Sequence, residues 1–143
     1  MSTLTSANAT LMLGVANLFN TPVQIQGWAT DDAFTVADVE TGETMMGVDG
    51  RLSGGFTPYP VPLEITLQAD SSSNTFFDTL IQAEAVAREK YILSGTILIP
   101  SIGFLYAFTR GFLGKSSVMP PAKKVLQPRK FEITFQSVSR APV

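Results

Sequence analysis

Val61-Pro62-Leu63-Glu64-Ile65-Thr66-Leu67-Gln68-Ala69 and Phe131-Glu132-Ile133-Thr134-Phe135-Gln136 decide the fold of this chain. Both alternate apolar and polar side chains, the pattern of a strand with one buried face. Val61, Leu63, Ile65, Leu67 and Ala69 face one way, as do Phe131, Ile133 and Phe135. Glu64, Thr66 and Gln68 face the other way, matched by Glu132, Thr134 and Gln136. The same polar face is therefore written twice, as Glu, Thr, Gln.

The rest of the chain falls into place around these two strands. Leu11–Phe19 reads as a first strand, and Val23-Gln24-Ile25-Gln26-Gly27-Trp28 as a half-buried second one that adds Gln24 and Gln26 to the polar set. Phe34–Thr41 is a short strand closed by a hairpin turn at Glu40-Thr41-Gly42-Glu43. Met46–Pro60 reads as a long loop, loosened by four glycines and stiffened at its exit by Pro58, Pro60 and Pro62. Residues 74–90 form the one helix. Ser71-Ser72-Ser73-Asn74 offers its N-cap, Asp78 suits the dipole, and Phe76, Leu80, Ala83 and Ala87 make an apolar stripe broadened by Phe77 and Ile81. Arg88 and Lys90 close the last turn. Ile92–Ile99 and Phe104–Phe112 are aromatic and β-branched strands, and Lys115–Arg129 is a basic, proline-bearing loop. The expected class is mainly β with one α-helix: a single domain over 1–143, an antiparallel sandwich or barrel-like fold.

Composition narrows the chemistry. The 143 residues contain no cysteine and no histidine, which removes disulfides, thiolate or histidine metal sites and Ser-His-Asp catalysis. Charged residues make up 15% against about 25% in ordinary domains, so much of the surface is expected to be hidden, including against other copies. The net charge of −2 conceals an imbalance. Residues 1–87 hold ten acids and one base, and residues 88–143 hold nine bases and two acids. If the two halves occupy opposite sides of the fold, such a molecule attracts its own copies head to tail; if they interdigitate, the charges mix. The slightly acidic chain does not suggest general nucleic-acid affinity. Leu11–Phe19 has no basic residues before it, so it does not read as a secretory signal, and the Asn8-Ala9-Thr10 sequon is then idle. The uncharged run 91–109 contains Pro100 and two glycines and reads as two strands rather than a membrane span.

Candidate chemical motifs are weak. Gly111-Phe112-Leu113-Gly114-Lys115-Ser116 ends like a phosphate-binding loop, but Thr109 stands where that loop needs glycine and Pro120-Pro121 discourages the following helix. Asp31-Asp32 with Asp38 or Glu40 matches no calcium-loop spacing. Glu64 and Glu132 are a carboxylate pair on paper only. The three polar faces, free of Lys and Arg, read first as the polar outer face of an ordinary sandwich, and they also suit a channel wall that must not grip a polyanion.

In whole-chain layout, over roughly residues 10–140, the sequence resembles the tail tube proteins of contractile-tailed bacteriophages. The shared features are an uncharged N-terminal arm over 1–10, early hairpins, the Gly/Pro-rich 46–60 segment before a clean strand, an Ala- and Glu-rich helix, and the Phe-Glu-Ile-Thr-Phe-Gln-like ending. The fold is shared with type VI secretion needle tubes, and some relatives carry tail fibre labels. The resemblance implies a non-catalytic subunit without cofactors or metal. Six copies would form a ring whose inner sheets join into one barrel, and the rings would stack into a tube that conducts DNA. Implied partners are further copies, the tail sheath, baseplate and tail terminator proteins, and the tape measure protein and DNA in the lumen, with no membrane. The implied location is the virion tail, after assembly in host cytoplasm. On this reading Gln24, Gln26, Glu64, Thr66, Gln68, Glu132, Thr134 and Gln136 line the lumen. Asp49, Arg51 and Tyr59 meet the next ring over the 46–60 loop, opposite Lys115, Lys123, Lys124, Arg129 and Lys130. Two other readings stay open: a carbohydrate-binding sandwich using Trp28 and Tyr59 as platforms, and a hydrolase pairing Glu64 with Glu132.

Overall fold

The two deciding strands become neighbours. A computed structural model describes residues 9–26, 34–120 and 122–142. Its elements are β1 (Thr10–Val15), β2 (Phe19–Ile25), β3 (Phe34–Val36), β4 (Gly42–Met46), β5 (Leu52–Phe56), β6 (Val61–Leu67), α1 (Asn74–Ala87), β7 (Leu93–Ile99), β8 (Phe104–Ser116) and β9 (Arg129–Pro142). Seven strands form one antiparallel sheet in the order β2-β1-β7-β8-β9-β6-β3, and β4 and β5 form a separate hairpin. β6 and β9 pair from Val61 opposite Phe135 to Leu67 opposite Arg129. The sheet does not close in the single chain, since β2 and β3 remain its edges.

One face of the sheet is apolar and carries the core. Leu11, Leu13, Leu63, Ile65, Phe77, Leu80, Phe131 and Ile133 are fully or almost fully buried there. Each such burial contributes about 1.5–3 kcal/mol. The helix lies across this face. Phe77 stacks on Phe131 of β9 at 4.1 Å, Phe76 sits 5.2 Å from Phe77, and Phe19 of β2 sits 4.7 Å from Phe76. In a flat sheet, the four ladder steps from β2 to β9 would separate these strands by about 19 Å. One helix touches both, so the sheet curls around it. Gly111 of β8 makes room for this packing, because a Cβ there would collide with the Phe135 ring.

Several boundaries differ from the sequence reading. The expected strand Leu11–Phe19 breaks into β1 and β2, because Asn17 turns the chain with φ 67°, a conformation that asparagine tolerates. β2 ends at Ile25, and Trp28 lies outside the described residues, as do Asn8, Asp31 and Asp32. The expected turn at 40–43 is instead the start of β4, and the expected loop 46–60 contains β5. The helix ends at Ala87, with Arg88 as a left-handed C-cap at φ 59°. No acid lies in its first turn and no base in its last. Ser73 is the N-cap residue but makes no side-chain cap bond, because its Oγ accepts the backbone N–H of Gln26 at 2.8 Å. The buried helical positions are Asn74, Phe76, Phe77, Leu80 and Glu84, so the stripe turns toward Glu84 and away from Ala87. Glu84 is held by the Tyr91 N–H at 3.1 Å and by Lys90 Nζ at 3.3 Å. β8 and β9 both run longer than expected, to Ser116 and Pro142.

Candidate functional site

The polar face of β6 and β9 is built as the alternation requires. Glu64 lies opposite Glu132, Thr66 opposite Lys130, and Pro62 opposite Thr134. β8 continues the same face, with Phe112 opposite Thr134 and, after a register shift, Lys115 opposite Glu132. The structure therefore places two lysines on a face expected to lack basic side chains. The sequence reading assigned Lys115 to the 115–129 loop and began the last strand at Phe131, whereas Lys115 lies in β8 and Lys130 in β9. Lys130 Nζ stands 3.9 Å from Glu64 Oε1, with both side chains substantially exposed, a pair worth about 0–1 kcal/mol. Thr66 is only 6% exposed, Glu132 and Thr134 are half-buried, and Gln68 and Gln136 are exposed.

Gln24 and Gln26 are not beside these residues. Gln24 lies in β2 and Gln26 just past its end, at the opposite edge of the sheet, five strands from β6 in the ladder. Gln24 pairs with Met12, which pairs in turn with Thr96 of β7. The backbone of Gln26 is tied to the helix start through Ser73 Oγ and Ser71 Oγ.

Of the five basic positions expected to meet a neighbouring ring, Arg129 is not available. Its side chain is 4% exposed. Its guanidinium makes a two-pronged pair with Asp78, Nη2 to Oδ1 at 2.8 Å and Nη1 to Oδ2 at 3.2 Å. It also donates to the carbonyls of Ser117 at 2.7 Å and Val118 at 3.3 Å. Arg129 therefore anchors the start of the loop after β8, at Ser117 and Val118, to the helix from inside the molecule. Lys123 and Lys124 are exposed on that loop, among exposed Val118, Met119, Val125 and Leu126.

The β4–β5 hairpin is an arm with almost every side chain exposed. Its tip is well formed. The Gly47 N–H donates to the Arg51 carbonyl at 2.8 Å, the Arg51 N–H donates to Asp49 Oδ1 at 3.1 Å, and Gly50 supplies φ 85°. Asp49 thus shapes the tip, and Arg51 projects from it. Met46 lies opposite Leu52, and Phe56 falls on the same hairpin face four pairs away, opposite Gly42. These three are 62%, 59% and 78% exposed, an apolar stripe that the described residues leave largely uncovered. Tyr59 is half-buried at the arm's base, edge-on to Phe56 at 6.2 Å, and so is not a free platform.

The chemical motifs find no support in this geometry. Gly111–Ser116 runs within β8, not from a loop into a helix. Glu64 and Glu132 face each other on an open sheet face, with the Glu64 side chain 46% exposed. Among the described residues, no three acidic side chains gather as a metal site would need, and no helix is long and apolar enough to cross a membrane.

Comparison with known proteins follows the architecture. A chain in the six-fold symmetrised baseplate of the anti-feeding prophage superposes with TM-score 0.65 at 13% identity, covering 100% of this chain and 99% of that one. A chain of the anti-feeding prophage tube-terminating cap gives 0.64 at 9% identity, with 100% and 93% covered. A chain of the sheath-tube complex of the extracellular contractile injection system PVC, in its extended state, gives 0.56 at 8%, with 93% and 88% covered. At these identities the likeness is one of fold. A search of curated proteins finds no match to the chain. The family model described as tail fiber protein gp32 matches residues 2–139, so the chain belongs to that family of phage tail proteins.

Proposed function

We propose that this protein is a non-catalytic subunit of a tail tube, forming rings that stack into a hollow conduit for DNA. The carrying observation is the division of labour within the chain. A sheet with one face sealed by a helix presents a polar second face, while an arm exposes an apolar stripe that the described residues leave open to another molecule. Fold likeness to components of contractile injection systems supports a tail assembly role, and the six-fold symmetry in the description of one relative's assembly favours rings of six. On this reading the β6–β9 face lines the lumen through Glu64, Glu132, Thr134 and Gln136. There Lys115 and Lys130 are offset by the two glutamates and do not form a basic patch. The tip residues Asp49 and Arg51 meet the next ring, opposite Lys123 and Lys124. Sheath, baseplate, terminator and tape measure proteins are the other partners, in the virion tail and, during assembly, in the host cytoplasm.

The family's tail fibre description favours a second reading, an appendage without a bore. Thr134→Lys with Gln136→Lys distinguishes the two. Thr66 is a poor site for this test because it is buried. In a tube the double variant assembles normally but impairs DNA passage; unchanged infectivity removes the lumen assignment. Arg51→Glu tests the stacking contact, with slower tube growth expected and unchanged growth arguing against it.

A further inference from the structure

The seven-stranded sheet ends unevenly. β6 accompanies β9 only as far as Val61 opposite Phe135, while β8 continues beside β9 to Pro142 opposite Phe104. On its β6 side, β9 therefore runs from Gln136 to Pro142 with no strand beside it among the described residues, and all seven residues are exposed. The cause lies just before β6. Pro58 and Pro60 have no N–H to donate, so this part of the chain cannot extend the ladder. It leaves the sheet as the hairpin arm. The resulting edge lacks most of the usual protections: it has one charge, Arg140, and its only proline is at the far end.

The arm has the reciprocal need. A lone two-stranded ladder is marginal in water and calls for a third strand or a packing surface. Among the described residues, β4 and β5 each have one unpaired side, and the arm pairs with no strand of the main sheet. The charges are opposed. Residues 38–56 carry four acids and one base, whereas 104–110 and 136–142 carry Arg110, Arg140 and no acid.

We propose that the arm of one copy adds to the open β9 edge of a second copy of this chain, extending that copy's sheet. Main-chain hydrogen bonds join the two edges, as in other strand-addition contacts. Each copy has one arm and one open edge, so the contact runs head to tail and builds a ring or a filament. The proposal rests on the reading that copies assemble, not on the assembly being a DNA conduit.

The cysteine-free chain allows a direct test by disulfide trapping. Chains carrying Thr44→Cys or Ser53→Cys on the arm are mixed with chains carrying Ser137→Cys or Ser139→Cys on β9, under mild oxidation. All four positions are exposed, so unchanged melting temperatures confirm folding. Adjacent strands satisfy disulfide geometry, so at least one pairing should give about ten-fold more cross-linked dimer than the same arm variants mixed with Val86→Cys on the helix. Equal yields with the helix control, or no cross-link in any pairing, overturn the proposal. Rings that form without these cross-links overturn it while leaving the tube reading intact. Cross-links without rings or tubes support the contact and remove the tube reading.

Discussion

The main sheet and the arm are both antiparallel ladders, and they are stabilised by different things. In the sheet, the inward side chains of β6, and of β9 as far as Phe135, are buried, and Leu63, Ile65 and Ile133 have no solvent exposure. In the arm, Met46, Leu52 and Phe56 are more exposed than buried. Hydrogen-bonded pairing is common to both, so pairing alone does not distinguish them. What separates them is apolar burial, which the main sheet finds within the chain and the arm does not. The main sheet carries the buried core, and the arm is an exposed ladder closed by a tight turn.

Substitutions that break this contrast should differ most where burial differs most. Phe77→Ala removes a fully buried ring stacked on Phe131 and should cost about 3–5 kcal/mol in denaturant unfolding. Phe56→Ala on the arm should leave the isolated subunit within about 0.5 kcal/mol. Equal losses would show that the arm packs on its own chain. Next in size is the Asp78–Arg129 pair, whose two ends are unequally buried, at 53% and 4% side-chain exposure. Asp78→Ala strands a buried cation and should cost about 3 kcal/mol. Arg129→Met leaves a carboxylate that water can reach and should cost less, about 1–2 kcal/mol. The reverse order in thermal melts would place the burden on the loop carbonyls instead. Gly111→Ala drives a methyl into the Phe135 ring and should cost about 1–3 kcal/mol. Smallest in stability but largest in assembly is Leu52→Ser with Phe56→Ser. The monomer's melting temperature should hold while sedimentation shows assembly lost.

The legible parts of the fold were those in which burial imprints a period. The alternation over 61–69 and 131–136 marked β6 and β9 and their inward faces, because one side of each strand is sealed. The same reasoning failed on the arm. A hairpin with nearly every side chain exposed and two adjacent glycines, Gly54 and Gly55, carries no clean period, so β4 and β5 read as a turn and a loop. The break at Asn17 was missed for a related reason, since the apolar run on either side of it is continuous. At the candidate site, the Glu, Thr, Gln face was readable, but its lysines were not. Lys115 falls at a strand end that proline and lysine content marked as loop, and Lys130 falls just before the residue at which the alternation begins. The burial of Arg129 depends on Asp78, 51 residues away, a contact that no local pattern announces.

The most direct test of the central claim is electron microscopy of the purified protein across a concentration series, with mass determination alongside. The account predicts hollow rings or tubes of uniform bore, with the β6–β9 face toward the channel. A monomer at every concentration, or a fibre without a bore, would contradict it.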